Sequence, residues 1–424
     1  MLKKKYWFLS FVFLSCCNFQ GFSQEQRITA VAIIGANKTK ESFLKKVISV
    51  TKNQALDSIA IASDIRFLIR LPSVSNASYK VTPNENGYNV AYTIEENFTI
   101  IPYFNIYTSN NSEVAYRIGI SEYNFLGRNM VVGGFYQKDI YDSYRISIKA
   151  PYLFSKKFGL GLSYQNFTSL EPVFFTQGTV DFKYNNTSYE FLAMYELNGK
   201  NRFSTGVNFF TEDYKYQPKE GDVAPPISNL IEEKVLYKLI YQYDDLNYNY
   251  HYVSGFKNIF NFQYVTSETN VSSPNFLIGW NDFLFYKRHK TRGNFACRLR
   301  LGLATNNNSP FAPFSLDNNV NIRGVGNVID RGTGSIVLNT EYRYSILDKP
   351  AFCIQGNAFI DTGSWRNPGG NLDDFVSHKN IVVFSGLGLR FIHKRIANAV
   401  FRIDYGIGVT EKTHGLVFGI GQYF

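Results

Sequence analysis

The chain has 424 residues and a formal net charge of +10. It is 45% hydrophobic and 17% aromatic but only 18% charged, with 30 Tyr and 38 Phe. Beyond the first residues no stretch reaches the roughly 18 apolar residues of a spanning helix. That argues against a helical membrane protein, and the aromatic load argues against an ordinary soluble β-sandwich. Aromatic girdles on alternating strands are instead what a membrane β-barrel needs.

Lys3, Lys4 and Lys5 precede an apolar run from Tyr6 to Cys17 and then small residues, so residues 1–23 read as a signal peptide, leaving Gln24 first. Cys16 and Cys17 leave lipid attachment open, although Phe13-Leu14-Ser15-Cys16 is a poor lipobox. Of the net +10, the three leader lysines supply three, which leaves +7 for the mature chain. A basic balance can mark nucleic-acid binding, but a secreted chain does not meet it routinely. An anionic lipid surface or a lumen lining is the expected counterpart. Only Cys297 and Cys353 remain after the leader, which excludes a disulfide scaffold and leaves their pairing open.

Residues 24–98 read as a small α+β domain. An apolar strand at 27–34 ends at Gly35. Thr39 is placed to cap a helix running to about Val50, with Glu41 in its first turn. A second helix from Leu56 to Leu71 repeats Ile61, Ile65, Leu68 and Ile69 on one face and stops at Pro72. Two strands at 77–82 and 88–94 follow, joined by Asn84-Glu85-Asn86-Gly87. The order is β-α-α-β-β, and about 70 residues suffice for one marginal unit.

From residue 99 to 424 alternating segments recur between Asn-, Gly-, Ser- and Lys-rich turns. They fall at 101–108, 113–124, 129–139, 143–152, 157–168, 186–197, 202–213, 233–246, 255–266, 275–287, 293–304, 334–345, 351–362, 380–393, 398–410 and 414–424. This gives a 16-stranded antiparallel transmembrane β-barrel as the expected fold, closed because backbone groups in hydrocarbon must all be paired. Connections alternate short and long, with long loops expected at 169–185, 214–232 and 305–333.

The last of these loops ends in Asp317-Asn318-Asn319-Val320-Asn321-Ile322-Arg323-Gly324-Val325-Gly326-Asn327. A basic residue followed by Gly-x-Gly implies a tight turn in which glycine permits φ > 0. Taken alone, Arg323 reads as a solvated loop charge. The next two segments alter that reading. Residues 335–344 put Val337, Asn339, Glu341 and Arg343 on one face, and 352–361 put Gln355, Asn357 and Asp361 on one face. If that face lines a barrel, the loop can fold inward and give Arg323 two carboxylate partners, Glu341 and Asp361. Arg366 reads as an exposed arginine.

In Phe401-Arg402-Ile403-Asp404-Tyr405 the alternation sends Arg402 and Asp404 inward. Residues 415–424 send Leu416, Phe418, Ile420 and Phe424 outward, and Gly415, Gly419 and Gly421 offer little packing. A strand so thinly packed, meeting the first strand at 101–108, makes a weak seam whose edge can template another strand. No catalytic pattern stands out. His251, His289, His378, His393 and His414 are scattered, without His-Glu-x-x-His or Cys-x-x-Cys spacing. No cofactor, metal or enzyme activity is expected.

The run Ile322-Arg323-Gly324, with Glu341 in Glu-Tyr-Arg and Phe359-Ile360-Asp361-Thr362-Gly363, resembles the BamA/TamA-type family of outer-membrane assembly barrels. Gly119 to Arg128, Phe401 to Gly406 and the aromatic ending at Phe424 resemble further landmarks of that family. Val325 stands where the family usually has an aromatic, and Asp317-Asn318 where it has a glycine pair. The resemblance implies a single POTRA-like periplasmic domain at 24–98, with Leu71-Pro72 and Glu95-Glu96 as its signals. It implies a loop 305–333 held in the lumen by Arg323, Gly324, Glu341 and Asp361. Gly415, Gly419, Gly421 and Phe424 would belong to the seam and targeting strand. Insertion or translocation of unfolded outer-membrane or secreted client proteins is the implied function, with periplasmic or lipoprotein accessory subunits as further partners. The alternative is a non-catalytic channel or passive transport barrel.

Overall fold

The computed structural model describes residues 27–424, apart from 109–113, 176–177, 250, 268–274, 308–311, 317–320, 326–330 and 395–399. The leader reading of residues 1–23 lies outside the described residues.

The N-terminal region follows the expected order: β1 (Ile28–Ile34), α1 (Glu41–Val47), α2 (Ser58–Ile69), β2 (Val74–Asn84) and β3 (Gly87–Glu96). Its sheet runs β1-β3-β2, with β1 parallel and β2 antiparallel to β3. Leu44, Val47, Ile61, Leu68, Val90, Tyr92 and Ile94 form the core between helices and sheet. Asp57 caps α2 by accepting from the Ile59 and Ala60 amides at 2.8 and 3.2 Å. Thr39 does not cap α1, whose N-cap is Lys40 without a side-chain bond. Nor does α1 reach Val50. The buried Asp64 carboxylate draws the amides of Ser49 (2.8 Å) and Val50 (3.1 Å) into an extended segment, and Tyr92 donates to it at 3.0 Å.

The rest of the chain builds a closed 16-strand antiparallel barrel. Its strands are β4 (Ile100–Thr108), β5 (Val114–Phe125), β6 (Met130–Lys138), β7 (Asp142–Ala150), β8 (Phe158–Phe175), β9 (Gly178–Glu196), β10 (Asn201–Tyr216), β11 (Asn229–Asn249), β12 (Tyr252–Ser267), β13 (Phe276–His289) and β14 (Gly293–Ala304). After a two-residue pair, β15 (Phe314–Ser315) with β16 (Arg331–Gly332), come β17 (Gly334–Asp348), β18 (Phe352–Arg366), β19 (Ile381–His393), β20 (Val400–Gly408) and β21 (His414–Ile420). The faces alternate as the pleat requires. On β17, Leu338, Tyr342 and Tyr344 are exposed outside, whereas Val337, Asn339, Glu341 and Arg343 are buried inside. On β20, Phe401, Ile403 and Tyr405 face out, and Arg402 and Asp404 face in.

Two expected loops are largely strand. Residues 169–175 and 178–185 continue the β8–β9 ladder, and the expected 214–232 loop shrinks to 217–228. The polar and aromatic residues there, read as loop, pair across strands: Asn185 donates to Thr168, and Tyr184 packs on Tyr214 at 4.7 Å. About 10 residues cross the hydrocarbon, so β11 with 21 residues projects well beyond it on the long-loop side.

The short-turn side carries the small N-terminal domain. Lys40 N donates to Gly127 O at 2.9 Å, Asn124 Nδ2 to Thr39 Oγ1 at 3.0 Å, and Ser73 N to Asn129 Oδ1 at 3.2 Å. Lys46 Nζ reaches the carbonyls of Tyr152 and Leu153 at 3.0 and 2.6 Å, and Arg70 pairs with Glu196 at 2.6 Å. The Tyr152 ring lies against Phe67, 5.3 Å between centroids. The domain is therefore seated on three barrel turns.

Candidate functional site

The barrel interior is occupied where β17, β18, β19 and β20 curve past one another. The loop between β14 and β17 enters this space, and Arg323 at its end is fully buried. Its Nε and Nη2 donate to the two oxygens of Asp361 at 2.8 and 2.9 Å, a bidentate pair, and its backbone N–H adds a third bond at 3.0 Å. Nη1 donates to Glu341 Oε2 at 2.6 Å and stands 3.8 Å from Asp404. The guanidinium plane lies between two rings, 3.7 Å from the centroid of Phe359 and 4.5 Å from that of Tyr423.

Each carboxylate is shared. Glu341 also accepts from Arg343 Nε and lies 3.7 Å from Arg390. Asp404 accepts from Arg390 at 2.8 Å, from Arg402 at 3.3 Å and from Asn357 at 3.3 Å. Asn339 bridges the loop to the wall, donating to Asn321 O at 2.7 Å while accepting from Arg298. Isolated buried charges are costly, and here three acids and four arginines are interleaved.

Backbone shape lets the loop sit this close. Gly324 has φ +98°, and a Cβ there would meet Gly406 O at 2.8 Å. A Cβ on Gly406 would in turn collide with the Arg323 carbonyl. Gly415 of β21 faces Gly324 from the same side, 3.1 Å from its carbonyl oxygen by the same measure. Of the residues singled out from sequence, Arg323, Gly324, Glu341, Asp361 and Gly415 thus converge.

Phe424 does not follow the outward alternation. β21 ends at Ile420, and Gly421 takes φ +99°. The reversal carries Tyr423 and Phe424 into the lumen, where Arg343 donates to Phe424 O at 3.3 Å and Arg298 lies 5.6 Å from its ring. Gly421 and Phe424 are therefore outside the last strand rather than part of it. Arg366 is not exposed either: it donates to Thr333 Oγ1 at 2.9 Å and Ala304 O at 2.8 Å at the base of the loop. Sequence reading missed Arg390 and Tyr423, and it named Phe359 only as part of the motif around Asp361, without its stacking on Arg323. Inward alternation marked Arg402 and Asp404, but not their convergence on Arg323.

The ring closes between β21 and β4, and this join is short. Among the described residues its register links Val417 to Tyr107, Phe418 to Ile106 and Gly419 to Asn105. By contrast β20 and β21 pair continuously from Phe401–Ile420 to Ile407–His414. Outside the join, Phe104 and Phe418 meet edge to face at 5.9 Å.

A closed 16-strand antiparallel barrel behind a small α+β region is the BamA-type fold. CdiB from Escherichia coli superposes with a TM-score of 0.66 at 12% identity, covering 94% of this chain and 77% of that one. CdiB from Acinetobacter baumannii gives 0.63 at 15% identity, with 94% and 74% covered. BamA from Haemophilus ducreyi, in a form lacking POTRA domains 1–3, gives 0.55 at 14% identity, with 93% and 84% covered. No family profile and no curated protein sequence matches the chain.

Proposed function

We propose that this chain is an outer-membrane barrel that inserts or translocates client proteins, working through the join between β21 and β4. The observation that carries the reading is the three-residue register at that join among the described residues, set in a ring whose other described ladders are longer. Few backbone bonds hold the two strands, so separating them costs less than opening any other ladder. The freed β4 edge is then a template for a client strand, while the apolar exterior keeps the barrel in lipid. The Arg323 cluster fixes the loop beside β20 and β21 and so sets the stiffness of one side of the join. The N-terminal domain acts as a POTRA-like module on the periplasmic side, seated against the short turns, where clients and accessory subunits arrive.

The test is a seam that can be locked. Tyr107 and Val417 are direct cross-strand partners. In a background with Cys297→Ser and Cys353→Ser, Tyr107→Cys with Val417→Cys should form a disulfide on oxidation. The locked protein should lose client assembly or secretion, measured as the level of other barrel proteins or of exported client, and recover it on reduction. Unimpaired client handling with a fully formed crosslink would remove the seam from the mechanism. If only a solute flux responded to depletion of the protein, the barrel would be a passive channel instead.

A further inference from the structure

A second cluster lies at the opposite end of the lumen from the long loops, where the β11–β12 hairpin turns inward. His251 and Tyr252 reach across β13 and β14 to the inner face of β17. There Ser345 Oγ is hydrogen-bonded to His251 Nε2 at 3.2 Å and receives bonds from Tyr252 OH at 2.9 Å and Gln355 Nε2 at 3.1 Å. Asn294 ties the hairpin down by accepting from Val253 N at 2.7 Å and donating to Val253 O at 3.0 Å. The hairpin is thereby pinned to the inner face of β17 at the short-turn end.

The ligand atoms of His251, Asp348 and Cys353 all lie within 4.8 Å of one another. They come from three separate places: the hairpin turn, the end of β17 and the start of β18. Cys353 is fully buried and carries a free thiol, and His251 is only 8% exposed. Nδ1 of His251 is buried without a hydrogen-bond partner. Among the described residues this is the one group of three such side chains with metal-ligand spacing.

We propose that His251, Asp348 and Cys353 form a binding site for a zinc-like divalent transition-metal ion. An imidazole, a thiolate and a carboxylate are the borderline ligand set that zinc accepts, and three protein ligands leave a fourth position for water. Binding requires the thiol to lose its proton, which is released as the metal–sulfur bond forms. It also requires Asp348 to turn from Lys394, with which it is ion-paired in the metal-free arrangement. The loaded site staples the hairpin to the β17–β18 turn. Sequence reading found no metal set because His251 lies far along the chain from Asp348 and Cys353, and only the inward hairpin brings it to them.

The probe is Co²⁺, titrated into detergent-solubilised full chain in which Cys353 is the sole thiol, Cys16, Cys17 and Cys297 having been replaced by Ser. The expected result is one equivalent of Co²⁺ bound, with a thiolate-to-cobalt charge-transfer band that Zn²⁺ abolishes. His251→Ala should weaken binding by about tenfold or more, at least the loss seen when a supporting group of a metal site is removed. Asp348→Asn should weaken it in the same direction. Cys353→His should keep Zn²⁺ binding by competition while losing the sulfur band, provided heat-modifiable migration shows that the barrel is folded. No charge-transfer band in the sole-thiol protein would overturn the site, as would a band unaffected by His251→Ala.

Discussion

Arg323 has no aqueous contact and spends its donors on Asp361 and Glu341. Truncating its side chain strips Asp361 of two hydrogen bonds at once, with only the backbone N–H left, and leaves that carboxylate uncompensated in the lumen. Arg323→Ala should therefore cost about 3–5 kcal/mol of barrel stability, the usual penalty for breaking a buried pair. The urea midpoint of the heat-modifiable form would report the loss, and protease sensitivity would report a released loop. Arg323→Lys should rescue little. An ammonium cannot make the bidentate pair or lie flat between Phe359 and Tyr423. Arg292→Ala, at an exposed turn position, serves as the control. Equal midpoints for Arg323→Ala and Arg292→Ala would show that the ion pairs contribute nothing. The core of this site was legible because strand alternation placed Glu341 and Asp361 on one face. The roles of Arg390 and Asp404 in it were not, since they approach Arg323 through the curvature of the barrel wall, which no local pattern encodes.

At the scale of the element, the last strand taught most. Alternation gave correct faces from Gly415 to Ile420 because the backbone there is extended. It failed at Phe424 because a single positive φ at Gly421 ends the period. The same limit explains β8 to β11. Hydropathy marked where the apolar band stops, but the ladders run on through Tyr, Asn and Thr pairs that satisfy the backbone without lipid contact. The inward tail yields its own expectation. Tyr423 stacks against Arg323 at 4.5 Å and Arg402 at 5.1 Å, and cation–π contacts in dry surroundings are worth about 1–2 kcal/mol. Tyr423→Ala should lower the barrel's thermal midpoint, and Tyr423→Phe, which keeps the ring, should lower it less. Identical midpoints for Tyr423→Ala and the parent would deny the tail any part in holding the cluster.

For the whole molecule, the N-terminal region and the barrel order were readable from periodicity, but their mutual seating was not. That seating depends on turns such as 124–129 and 151–154, whose carbonyls carry no sequence signature. Glu96 organises one side of it. Its carboxylate accepts from the amides of Asn37, Lys38 and Thr39 at 2.6 to 3.2 Å, just before Lys40 bonds to Gly127. Burial alone would push the Glu96 carboxyl up, but the bonds from Thr39 and from the amides of Lys38 and Asn37 together hold it below the ordinary value of 4.5. A carboxylate depressed on folding stabilises fully above its unfolded value and loses that contribution as pH falls through the folded one. Amide protection at residues 37–39, corrected for intrinsic exchange, should thus be flat above about pH 4.5 and fall below it. Glu96→Gln should abolish the fall. A wild-type profile that showed no decline on acidification would rule out the carboxylate as the anchor.

The floor on which Gly324 rests is made by Gly406 and Gly415, residues of β20 and β21, which are synthesised after the loop. The loop is synthesised earlier than its own seat. During folding the Arg323 side chain has Asp361 and Glu341 within reach in sequence, yet nowhere to settle until β20 and β21 are in register. Seating is consequently a late event, and a docked loop is a signature that the ring has been completed. An arginine that binds two neighbouring acids is, in time, a reporter on strands made long after it.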